Sequence, residues 1–154
     1  LGEAALPDAE RLARHVERLP EAAAVALDGR VLPHEWLATV DGYVKTDALD
    51  HHADHAFPGP ADIAWDVAAL TVEFELPADR AASFSDAAAS ALGDPLLVRR
   101  LPFYTVAYLA FRAGQASPGA TVMGGQDEGR RLQGAGARYR AQLAHGLGRL
   151  TAVI

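Results

Sequence analysis

A chain of 154 residues, half of them hydrophobic and 22% charged, has the material for one domain with its own core. The net charge of -6, with no basic run, argues against a nucleic-acid partner, because such binding needs cations to neutralise phosphates. The absence of cysteine excludes disulfides, thiolate nucleophiles and cysteine-based zinc sites, and fits a reducing, cytoplasmic setting.

Residues 8–19, DAERLARHVERL, predict a helix. Asp8 caps it, Leu12, Val16 and Leu19 recur at helical spacing, and Pro20 stops it. The segment is charged and amphipathic rather than a signal peptide. AAAVAL (22–27) is short and apolar, as a buried strand or a buried helical turn would be. Residues 28–35 read as an irregular loop with Gly29 and Pro33. WLAT and YVKT flank a turn at Asp41-Gly42 and predict a small hairpin. A polar stretch of acids and histidines follows. Residues 61–76 predict a helix between Pro60 and Pro77, with an apolar stripe of Ile63, Val67, Leu70 and Phe74. Residues 79–92 predict another helix, closed by Gly93. Residues 97–117 are apolar enough to be central to the core, and Pro118 and Gly119 should break that helix. The last helix spans 125–150, although glycines at 129, 134, 136, 146 and 148 weaken it, and its arginines at 130, 131, 138 and 140 suit a solvated face. No stretch is long and apolar enough to span a bilayer, so no membrane partner is expected. The expected fold is mainly α, α+β overall, with one small hairpin.

The order of these elements, and three short motifs, resemble the C-terminal lobe of the aminoglycoside phosphotransferase and choline/homoserine kinase group, which has a protein-kinase-like fold. That group's catalytic loop reads His-Gly-Asp-Leu-His-Pro-Gly-Asn. Here the same stretch is Asp28, Gly29, Arg30, Val31, Leu32, Pro33, His34 and Glu35, followed by apolar Trp36 and Leu37. The group then has a hairpin ending in a metal-binding aspartate, matched by Asp47. A Gly-Asp-Pro-x-x-Asp-Leu-Ala segment opens its next helix. GPADIAWDVA (59–68) is similar, with Asp66 at the final aspartate. The motifs lie within residues 28–68.

The resemblance implies a single kinase-like C-terminal lobe over 1–154, expected to be a piece of a longer protein whose N-terminal lobe lies outside it. It implies ATP- and magnesium-dependent phosphoryl transfer to a small-molecule hydroxyl in the full protein. The departures fall on the chemistry. Arg30 stands where the base belongs, and a guanidinium stays protonated. Glu35 stands at the asparagine and, with Asp47, retains oxygens suited to magnesium. Asp28 and His34 flank the lost base and are its candidate replacements. Arg30 could instead serve as counter-charge to Asp28 or Asp47. Asp66 is expected to be structural, meeting the helix dipole and loop amides. Trp36 and Trp65 are expected to pack. The isolated chain is therefore expected to be inactive.

Two alternatives stay open. One is a pseudokinase-type binding module, whose partner is a small molecule or its own N-terminal lobe. The other is a metal-dependent hydrolase built on DALDHHADH (47–55), where Asp50, His51, His52 and His55 have suitable donors.

Overall fold

The computed structural model describes residues 9–46, 59–123, 125 and 127–154. These are mainly helical, with four short strands paired in two antiparallel ribbons. Among the described residues, no helix is long and apolar enough to cross a membrane. The chain forms two compact units. One combines α1 (Ala9–Glu17) with Pro102–Ile154, and the other is Pro20–Leu101.

In the Pro20–Leu101 unit, β1 (Ala24–Val25) pairs with a strand that sequence periodicity does not reveal, β4 (Ala61–Asp62). Between them, β2 (Trp36–Thr39) and β3 (Gly42–Lys45) form the expected hairpin, with Trp36 opposite Lys45 and Thr39 opposite Gly42. The turn residues are Val40 and Asp41. Gly42 opens β3 at φ 131°, a conformation that would strain a side chain.

Helix α2 (Ala64–Glu73) starts later and ends earlier than the apolar pattern predicts. Residues 61–62 are withdrawn into β4, and the Asp62 carboxylate accepts the Ala64 N–H at 2.9 Å, starting the helix there. The expected stripe is only partly the buried face. Val67 is buried, whereas Ile63 and Leu70 are half-buried and Phe74, at the C-cap, is 38% exposed. Small residues complete the buried face instead, namely Ala64, Ala68 and Ala69, together with Val72. The last turn closes with Leu76 N–H on Thr71 O, which puts Glu75 at φ 48°. Helix α3 (Ala78–Leu92) ends in the same way, with Asp94 N–H on Ala89 O, and here Gly93 supplies the positive φ.

The core of this unit includes Leu27 and Leu97, both fully buried, with Val31, Val67 and Val72 nearly so. Each such side chain contributes about 1.5–3 kcal/mol as an upper estimate. Arg100 lies in the first turns of α4 (Leu97–Met123) and is 1% exposed. Its Nε donates to Asp62 Oδ2 at 2.7 Å, and its Nη1 and Nη2 reach Asp94. Asp94 also accepts the Leu96 N–H. A buried guanidinium is tolerated because two carboxylates satisfy it.

In the other unit, Tyr108, Leu109 and Ala116 of α4 and Tyr139, Leu147 and Leu150 of α5 (Asp127–Val153) form the core. Helix α4 does not break at Pro118 but continues to Met123. An interior proline removes one hydrogen bond, and tertiary packing outweighs it, as Ala116 shows by lying against α5 at Gly136. A Cβ at Gly136 would sit 3.3 Å from Ala116 Cβ, and one at Gly146 3.2 Å from Val106 Cγ2. Two of the glycines that weaken α5 as an isolated helix therefore allow its close approach to α4. Arg138 leaves the expected solvated face and lies 4.9 Å from the centre of the Tyr139 ring. Arg130, Arg131 and Arg140 are exposed.

Candidate functional site

The loop between β1 and β2 is fixed at both ends. At its N-terminal end, Gly29 is buried with φ 81°, a turn that glycine makes without strain. The Asp66 carboxylate, in the first turn of α2, accepts both neighbouring amides. Asp28 N–H donates to Oδ2 at 2.8 Å, and Gly29 N–H to Oδ1 at 3.0 Å. The Trp65 indole N–H donates to the Gly29 carbonyl at 3.0 Å. Three hydrogen bonds thus tie the loop to residues 36–38 positions away. Because α2 begins just after β4, the Arg100 ion pair on Asp62 also steadies this clamp.

At its C-terminal end the loop makes a 3-10 turn, Pro33–Glu35. The Glu35 carboxylate turns back to accept the Leu32 N–H at 3.1 Å. The Glu35 carbonyl accepts both the N–H and the hydroxyl of Thr46, at 2.8 and 3.0 Å. The hairpin therefore returns the chain to where it left the loop and delivers Lys45 beside it.

The Lys45 ammonium lies 2.6 Å from Asp28 Oδ2 and 3.0 Å from Glu35 Oε2. All three side chains are nearly buried, 12%, 13% and 9% exposed. The contacts have ion-pair distances without the angles of well-aligned hydrogen bonds. The other Asp28 oxygen accepts the Arg30 N–H at 3.2 Å. Burial lowers the pKa of the Lys45 amine, but Asp28 and Glu35 outweigh it, and the net shift is upward. Burial pushes the Asp66 carboxyl above the usual carboxylate range, and the Asp28 and Gly29 amides hold it back only in part.

The structure thus brings Asp28, Glu35 and Asp66 into one assembly. Arg30 is half-buried in the same loop, and His34 is exposed on the 3-10 turn. Asp47, Asp50, His51, His52 and His55 lie outside the described residues. Sequence reasoning missed Lys45 and the hydrogen bond of Trp65. A signal for Lys45 was present, because it is the single lysine among 14 cationic side chains. Trp65 carried no such signal; a tryptophan between apolar neighbours reads as packing until its N–H finds a carbonyl.

The described residues do not fit a magnesium ion at this centre. Glu35 Oε2 and Asp28 Oδ2, the oxygens that converge, already share one ammonium. Among the described residues, no three histidine, aspartate or glutamate side chains are grouped to hold a metal. Compared with protein families, curated proteins and solved structures, the chain finds no match in any of the three.

Proposed function

We propose that the chain is the C-terminal lobe of a kinase-fold protein similar to the aminoglycoside phosphotransferase and choline/homoserine kinase group. In this lobe the loop 28–35 serves for binding rather than for phosphoryl transfer. The observation that carries the reading is the Asp66 clamp. Two of the three segments on which the resemblance rests, 28–35 and 59–68, meet through that carboxylate, although nothing in their sequence separation requires it.

The chemistry supports silence. Phosphoryl transfer relies on positioning, a proton acceptor and metal-neutralised charge. Arg30 occupies the acceptor's position and cannot accept a proton. Asp28, two positions before it in the loop, has Lys45 on one oxygen and the Arg30 amide on the other. ATP, magnesium and a small hydroxyl substrate belong to this proposal only through the full protein, which would have to supply the base and the metal ligands from outside the described residues.

The test is transfer from γ-labelled ATP to an aminoglycoside or to choline, with magnesium present and with the chain unmodified. The expected result is no transfer above an enzyme-free control. Multiple turnovers that disappear in Asp66→Ala would overturn the proposal of silence.

A further inference from the structure

We infer that Lys45 is a built-in counter-cation that takes the place of a divalent metal at the Asp28–Glu35 centre, so that the loop assembles without metal. The inference deepens the kinase-like reading above and rests on it.

Two carboxylate oxygens, seven positions apart in the loop, converge on one point. Burying both without a cation would be costly, so the fold must place a positive charge there. A divalent ion would satisfy them at about 2.0–2.1 Å if it were magnesium. The Lys45 ammonium instead stands at 2.6 and 3.0 Å, the spacing of an ion pair. Both cations cannot share the same two oxygens, because they would repel each other at near contact.

The residue type suits the role. The chain's other 13 cations are arginines, and this one is its only lysine. A guanidinium is a planar fork that suits one carboxylate from one side. An ammonium is a compact point charge with three donors, and can sit between two carboxylates of different orientation. The backbone also prepares it. β2 begins immediately after Glu35, Trp36 pairs with Lys45, and Thr46 donates twice to the Glu35 carbonyl. Lys45 is thereby held against the residue whose carboxylate it neutralises. Lys45 is a positioning residue here, acting through Asp28 and Glu35 on the loop.

Manganese, a hard divalent probe read by electron paramagnetic resonance, tests this in the folded chain. The quantity of interest is the number of bound ions removed by Glu35→Gln, which separates this centre from any other acidic or histidine-rich stretch. Unmodified chain should show none. Lys45→Met should gain one, with a dissociation constant of about 1 mM or tighter, and Lys45→Arg should gain none because its charge remains. A Glu35-dependent ion in the unmodified chain overturns the inference, as does a folded Lys45→Met that gains none. If Lys45→Met does not fold, Lys45→Gln takes its place, and the unmodified chain remains decisive alone. Failure here with phosphotransfer still absent would leave the kinase-like lobe intact and remove only the role of Lys45.

Discussion

Replacing Asp66 with alanine should loosen the loop 28–35 more than any other single truncation in α2. The carboxylate receives two backbone amides, at 2.8 and 3.0 Å. Hydrogen bonds to a charged acceptor contribute about 1.5–3 kcal/mol each, so the pair amounts to roughly 3–6 kcal/mol before burial is counted. Burial acts against this, as the upward-shifted pKa of Asp66 shows. A net loss of about 2–4 kcal/mol remains once desolvation is set against the two bonds. With a urea slope of about 2 kcal/mol per molar, the unfolding midpoint should fall by roughly 1–2 M. Hydrogen exchange should show the Asp28 and Gly29 amides losing protection together, ahead of the α3 amides. A midpoint within about 0.3 M of the parent, with both amides still protected, would refute the clamp.

Four further outcomes follow from the same geometry. Asp66 carries a raised pKa in the fold, so the folded state holds its proton to higher pH than the unfolded chain does. Stability from this group is full below the usual carboxylate pKa and declines as pH rises through the folded value, a slope that Asp66→Asn should remove from a series of urea titrations. Asp94 runs the other way. Arg100 holds its pKa down, so its contribution is present above the usual carboxylate range and is lost as pH falls; Arg100→Met should abolish that acid-side loss and cost about 3–5 kcal/mol at neutral pH, measured by denaturation. Gly148 has open space where a Cβ would go, so Gly148→Ala should stabilise the chain by about 0.5–1 kcal/mol, whereas Gly146→Ala, which meets Val106, should not; calorimetry of the two variants separates them. If a longer chain supplies the N-terminal lobe that the proposal calls for, Arg30→Asp combined with Glu35→Asn should raise phosphotransfer above the parent level in a labelled-ATP assay, and an unchanged rate would count against the proposed family alignment.

Local signals explain what the sequence made legible. The hairpin was readable because its turn signal is short-range, although the turn falls on Val40-Asp41, one residue before the expected Asp41-Gly42 pair, and α3 because Gly93 marks its end. The start of α2 was not, since Ala61–Asp62 pairs with a strand 37 positions earlier and that partnership has no local trace. Pro118 misled because its local cost is real, while the packing that outweighs it lies on α5. At the site, Asp28, Arg30, Glu35 and Asp66 could be singled out by comparison with a known motif. Lys45 could not, because it falls between the residues that carry the resemblance. What exposed it was long-range convergence: two acids of the loop required a cation, and the hairpin register supplied the one lysine available.

The state of the Lys45 ammonium tests the account most directly. With lysine alone labelled with carbon-13 and nitrogen-15, the folded chain gives one ε-ammonium resonance, because it has one lysine. If Lys45 closes the Asp28–Glu35 centre, its ammonium protons exchange slowly with water, and the resonance stays in place when magnesium and ATP are added together. A rapidly exchanging ammonium whose resonance moves on addition of magnesium and ATP, with Glu35→Gln abolishing that movement, would show that the centre receives metal and would contradict the account.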